Sequence, residues 1–170
     1  APLLAVDSTA LKFLKAAIGD RPHWLAASTH PGDELAAAEA HATLAGKIPN
    51  LLTLIAPRHP VRTAEIVEML RRRGLNVAMR SRDETITAET DIYIADTLGE
   101  MGVLYRVAGT VFIAGSLASH GGHNPVEPAL LNNALLAGPD MRNFEDACTT
   151  LTKANALTRI NSAEALADAL

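Results

Sequence analysis

The sequence predicts an α/β fold: a doubly wound, Rossmann-like parallel sheet covered by helices on both faces. Three observations carry this expectation. Short apolar runs alternate with longer amphipathic ones along all 170 residues. The short runs show little polar alternation, as strands do when both of their faces are buried. The chain is 48% hydrophobic but only 4% aromatic, so its core must be built from Ala, Leu, Ile and Val, which suits a sheet between helical layers.

Taken in order, helices are expected over Ser8–Ile18, Pro31–Ala45, Pro60–Arg73, Gly99–Val107, Pro125–Asn132, Phe144–Ala154 and Ala163–Leu170. Strands are expected over Trp24–Ser28, Leu51–Ala56, Asn76–Arg80, Asp91–Asp96, Thr110–Ala114, Ala134–Ala137 and Leu157–Ile160. Arg71, Arg72 and Arg73 before Gly74 form a basic helix end with a glycine stop, as the helix dipole favours. Strict strand–helix alternation implies right-handed crossovers. No linker, low-complexity tract or solenoid repeat divides the chain, so one domain is expected over 1–170.

The net charge of −4 and pI near 5.8 exclude a general nucleic-acid binder, which needs basic excess against phosphates. The one cysteine, Cys148, excludes an internal disulfide and reads as a packed side chain. No run of about 18 apolar residues marks a membrane span. No signal peptide is visible. The sequence begins at Ala1 without methionine and stops inside a helical run at Leu170, so it reads as a fragment of a longer protein.

In open parallel sheets, ligands bind beyond the carboxyl ends of the strands. The unusual polar residues of this chain lie in the segments expected there. The longest runs from Gly115-Ser116 to Gly121-Gly122-His123-Asn124-Pro125-Val126-Glu127-Pro128. Glycines allow close backbone approach to a ligand, Asn124 suits an N-cap and Pro125 the first helical position. A helix start of this kind suits a phosphate. Glu127 in the first turn can accept two hydrogen bonds from a vicinal diol such as a ribose. In Pro57-Arg58-His59-Pro60, Arg58 can grip an oxyanion with two N–H groups. His59 reads as a second pocket residue or a packing group. Ser28 and Thr29 can donate to anionic oxygens, whereas Asp33 and Glu34 fall in a first helical turn and read as structural. Backbone groups of Asp96-Thr97-Leu98-Gly99-Glu100 can read a base edge, with Asp96 or Thr97 capping the helix. The six histidines show no metal-ligand spacing, so no metal is expected. Nucleophile-elbow, Walker and dinucleotide glycine motifs are absent from the sequence.

These segments together resemble the carboxyl-terminal half of the Kdo transferases, which add 3-deoxy-D-manno-octulosonic acid (Kdo) during lipopolysaccharide assembly. The resemblance runs from about Leu11 to Glu145. It is carried by Leu11-Lys12-Phe13, Ala27-Ser28-Thr29-His30 with Gly32 and Glu34, Pro57-Arg58-His59-Pro60, Asp96-Thr97 with Gly99-Glu100 and Tyr105, Gly115-Ser116 with Gly121-Gly122-His123-Asn124-Pro125 and Glu127-Pro128, and Gly138-Pro139 with Asn143-Phe144. It implies one half of a GT-B glycosyltransferase that uses CMP-Kdo and no metal or other cofactor, and that inverts the anomeric centre. Carried over, Glu127 is the ribose carboxylate and Gly121, Gly122, His123 and Asn124 the phosphate-facing loop. Arg58 is a donor-anion ligand with His59 beside it. Ser116 joins this donor site, and Ser28, Thr29, Asp96, Thr97, Gly99 and Glu100 line the pocket. The acceptor, lipid A precursor, and the catalytic carboxylate base belong to an amino-terminal domain outside this sequence, so the chain is expected to be inert alone. The full-length protein is expected on the cytoplasmic face of the bacterial inner membrane, with this fragment soluble.

Two departures stand out. Leu131-Asn132-Asn133-Ala134 replaces a small Gly-Pro turn, and Asp33 stands where the family usually has Glu. Two other readings fit the same residues: a GT-B enzyme using a UDP-sugar (a transferase or 2-epimerase), and a non-catalytic module of the same fold. Competition between CMP and UDP separates the first, and loss of all nucleotide binding marks the second.

Overall fold

In the structure, a computed structural model describing residues 3–117 and 119–170, seven parallel strands form one sheet in the order β3-β4-β2-β1-β5-β6-β7. The strands are β1 (His23–Thr29), β2 (Leu52–Pro57), β3 (Val77–Met79), β4 (Ile92–Ile94), β5 (Thr110–Ile113), β6 (Ala134–Ala137) and β7 (Leu157–Arg159). The helices are α1 (Ser8–Ile18), α2 (Asp33–Ala45), α3 (Thr63–Arg72), α4 (Met101–Ala108), α5 (Val126–Leu130), α6 (Glu145–Lys153) and α7 (Ala163–Ala169).

Successive strand residues point to opposite faces, and each face has its own core. Leu25, Leu54, Tyr93, Val111 and Leu135 pack with Leu14, Val103, Leu104 and Cys148, beneath α1, α4 and α6. Trp24, Ile55, Ile94, Phe112 and Leu136 pack with Ala37, Ile66, Leu70 and Leu166, beneath α2, α3 and α7. Cys148 is therefore a buried packing residue, its thiol pushed up chiefly by burial.

The amino-terminal edge of the sheet is closed by Arg21, whose guanidinium donates to the carbonyls of Asn50, Leu51, Thr87 and Thr90. Ligand chemistry is thereby left to the opposite, carboxyl end. Helix ends follow local chemistry: Asp7 caps α1 by accepting from Thr9 and Ala10, and Gly19 ends it at φ 58°. Ser162 caps α7.

Strict alternation fails at one place. Between β3 and β4 the chain makes only a 3₁₀ turn, Arg80–Arg82. Asp96 accepts from the Ser81 N–H and hydroxyl, which pins this turn to the end of β4. The remainder of the connection drops Ile86 onto the core instead of forming a helix. The helix expected from Pro60 likewise starts as a 3₁₀ turn, Pro60–Arg62, before α3. The helix expected over Pro125–Asn132 is only Val126–Leu130, because Asn132 turns left-handed at φ 63°.

Candidate functional site

The chain runs outward from β1 through β2 to the β3 edge, then resumes with β5 on the other side of β1. The reversal opens a crevice beyond the carboxyl ends of β1 and β5, where ligands bind in such sheets. Loops from three strand ends meet there.

The first loop leaves β1 through a bulge. Its pairing with β2 shifts between Ala27 and Thr29, and Ser28 adopts φ 60°. A left-handed non-glycine residue at a strand end is locally strained and re-aims the residues that follow. The Thr29 carbonyl accepts the Arg58 N–H at 3.0 Å. Asp33, fully buried, accepts the N–H groups of His30 at 2.9 Å and Gly115 at 2.8 Å on one carboxylate oxygen. Burial pushes the Asp33 carboxyl up, and these two donors oppose that shift. Glu34 takes Arg62 at 2.6 Å. The three loops are thus tied together by Asp33, Glu34 and Arg62. Arg62, from the 3₁₀ turn, was not anticipated: 28 residues separate it from Glu34, and no local pattern announces that pair.

Above these ties sits a cluster of imidazoles. His30 Nε2 lies 2.9 Å from His123 Nε2. The His30 ring also stacks on His120, with centroids 4.1 Å apart, and meets His59 edge-on at 5.8 Å. Burial pushes His30 down to about 4, with further lowering from His120, His123, His59 and Arg58. His123 is lowered by burial first, then by Arg58, His120 and His59. Four imidazoles and the exposed Arg58 therefore face one another, with the Asp33 carboxyl beneath them close enough for its charge to be felt by His120. Arg58 and the imidazole N–H groups give this surface donors for an anion. Among the described residues, no group of three or more His, Cys, Asp or Glu is arranged to hold a metal ion.

The loop after β5 differs in detail from expectation; its Ala118 lies outside the described residues. Gly121 and Gly122 take φ 80° and 77°, but their N–H groups do not face the crevice. Gly121 donates to Asp140 and Gly122 to the Gly115 carbonyl. A Cβ on Gly121 would strike Asn143, and one on Gly122 would strike Met141. These glycines allow the loop to pack, and no described residue accepts the N–H groups of His123 and Asn124 that follow. Ser116 is also turned inward: its buried hydroxyl donates to the Ile113 carbonyl and accepts the Gly138 N–H. It braces the crevice wall without offering its hydroxyl to a ligand.

Asn124 accepts the Val126 N–H at 3.0 Å, but the cap position falls on Pro125 and α5 begins at Val126, so the helix starts one residue later than expected. With five residues, α5 has little dipole, so positive charge here rests mainly on Arg58. Glu127, half-buried in the first turn of α5, accepts no hydrogen bond from the described residues. Burial first, and then the nearby Glu127 charge, push the Tyr105 hydroxyl well above its ordinary range. The carboxylate thus sits beside α4, free to accept from a ligand.

The segment after β4 is more structural than expected. Asp96 is occupied by Ser81. Thr97 donates to Glu100, which also pairs with Arg80 at 3.3 Å. Gly99 takes φ 83° at the turn into α4. A groove of about 970 Å³ opens between α3 and the end of β3, lined by Pro60, Val61, Val67, Arg71, Met79 and Asp96 among others. Of the expected site residues, only Asp96 reaches it, so its size does not make it the anion site.

The geometry matches that of known proteins. No family model matches the chain. The crystal structure of the C-terminal CMP-Kdo binding domain of WaaA from Acinetobacter baumannii superposes with a TM-score of 0.85 at 31% identity, over 94% of this chain and 87% of that one. This chain belongs to the Kdo transferase family. The 3-deoxy-D-manno-octulosonic acid transferase of Haemophilus influenzae is 36% identical over 151 residues, covering 89% of this chain and 35% of that protein. A probable mitochondrial counterpart in Arabidopsis thaliana is 35% identical over 89% of this chain and 34% of its own length. The chain therefore spans about a third of the length of these Kdo transferases. A trehalose 6-phosphate synthase from Burkholderia multivorans, with a TM-score of 0.64 at 16% identity, shares the fold alone.

Proposed function

We propose that this chain is the donor-binding domain of a Kdo transferase and holds CMP-Kdo in the crevice between β1 and β5. What carries the reading is the convergence of Arg58, His30, His59, His120 and His123 beyond those strands, in a chain folded like a CMP-Kdo binding domain. The donor brings two anionic groups, a phosphodiester and the sugar carboxylate. Arg58 can bind either through its fork, and the free N–H groups of His123 and Asn124 can meet phosphate oxygens. Glu127 accepts from the ribose hydroxyls. Gly121, Gly122 and Ser116 set the loop shape, and the backbone of Asp96–Glu100 faces the base. Ser28 and Thr29 shape the β1 exit.

In this reading the chain orients the donor, and an amino-terminal domain supplies the carboxylate base and binds lipid A precursor at the cytoplasmic face of the inner membrane. No metal takes part in this reading: the neutralising charge comes from Arg58, and the imidazoles contribute N–H donors. The isolated chain binds donor but does not transfer sugar. Calorimetric titration with CMP, against UMP and UDP, tests the assignment. Preferential binding of CMP is the expected result. A preference for uridine nucleotides would redirect the site to a UDP-sugar, and an absence of glycosyl-donor binding in both this chain and the full-length protein would leave only the fold.

A further inference from the structure

We infer that Asp33 is a positioning residue, whose buried carboxylate fixes the anion-binding loop by holding the Gly115 peptide at the reversal of strand order. The inference rests on the donor-site reading above. Asp33 is the first residue of α2, yet the preceding Gly32, not Asp33, occupies the cap position, and one Asp33 oxygen reaches a different element. It takes the N–H of Gly115, 82 residues away, together with that of His30. The carbonyl of the same Gly115 residue accepts the N–H groups of His120 and Gly122 at 3.0 and 3.1 Å. One carboxylate therefore governs a residue from which the whole imidazole-bearing loop hangs.

Gly115 itself has almost no room to move. It sits at φ 73°, and a Cβ there would lie 3.2 Å from the rings of both His30 and His123. A shift of Gly115 consequently displaces the two rings that face each other across the crevice. A carboxylate holds N–H donors about twice as strongly as a neutral acceptor does. Being 0% exposed, Asp33 exchanges these bonds with no competing bulk water.

The test uses this chain with two variants, Asp33→Ala and Asp33→Asn, read by amide hydrogen exchange and by CMP titration. Asp33→Ala is expected to speed exchange of the Gly115, His120 and Gly122 amides about tenfold beyond any change at Leu54 and Ile55 in β2, and to weaken CMP about tenfold. Asp33→Asn keeps an acceptor oxygen and should fall between, at about threefold on both readouts; it decides the matter should Asp33→Ala not fold. Exchange that rises equally in the loop and in β2 would overturn the inference, as it marks a residue of general stability. Unchanged loop exchange in both variants would also overturn it. A parent chain that binds no CMP, with loop exchange responding as expected, would uphold Asp33 as the fastener of the loop while removing CMP as its ligand.

Discussion

His30 Nε2 and His123 Nε2 face each other at 2.9 Å across the point where the strand order reverses. Neutral imidazole has one donor and one acceptor nitrogen, so the pair shares a single N–H between two neutral rings. Protonating both would set two N–H donors against each other.

The pH dependence follows. The folded His30 is pushed down to about 4 from an ordinary 6.5, by burial and then by His120, His123, His59 and Arg58. Between these values the unfolded chain binds a proton that the folded chain refuses, so stability falls as pH drops through that window. A bound anion opposes the shift. NMR titration of the ring protons should place His30 near 4 in the free chain and higher with CMP bound. A free-chain midpoint at the ordinary value would refute the clustered geometry.

Glu127→Ala should weaken CMP binding by about 1–3 kcal/mol, the scale of lost hydrogen bonds to a charged group. Because no described residue donates to Glu127, thermal unfolding of the variant should match the parent. Calorimetry and a melting curve together check both statements.

Arg58→Lys should also lose affinity for the donor, since an ammonium cannot copy the two-pronged contact of a guanidinium. Titration with CMP-Kdo reads this directly. An unchanged dissociation constant removes Arg58 from the site.

Gly122→Ala addresses the shape of the loop. The new methyl group meets Met141 and the backbone stays at φ 77°, so a loss of about 1–3 kcal/mol in stability is expected by denaturant unfolding. Donor binding should fall as well, because His123 and Asn124 follow immediately.

Arg62→Ala leaves Glu34, 3% exposed, without its cation. Breaking a buried pair costs about 3–5 kcal/mol, and the partial exposure of Arg62 lowers this to about 2–4 kcal/mol. Urea unfolding of the variant measures it.

Most of the architecture was legible in the sequence because both sheet faces are buried. Runs such as Leu52–Pro57 have no polar face, and their spacing leaves few alternatives to a covered parallel sheet. The connection from β3 to β4 was read without a helix, as observed, but the bond that pins it, Asp96 gripping Ser81 across 15 residues, was not legible. Site segments were legible by their position after strands and by their residue types. Their internal wiring was not. That Gly121, Gly122 and Ser116 turn their polar groups inward depends on Asp140, Gly115, Ile113 and Gly138. Asp33 looked like an ordinary first-turn acid because its partner Gly115 lies in another part of the chain. The imidazole cluster unites four histidines spread from residue 30 to residue 123, a proximity that only the fold creates.

The most direct test of the donor site is to map amide shifts while titrating this chain with CMP. Shifts centred on Arg58, His123, Asn124 and Glu127 are expected, with ring signals of His30 moving in step. Shifts centred instead on Val61, Val67 and Arg71, in the groove beside α3, would contradict it.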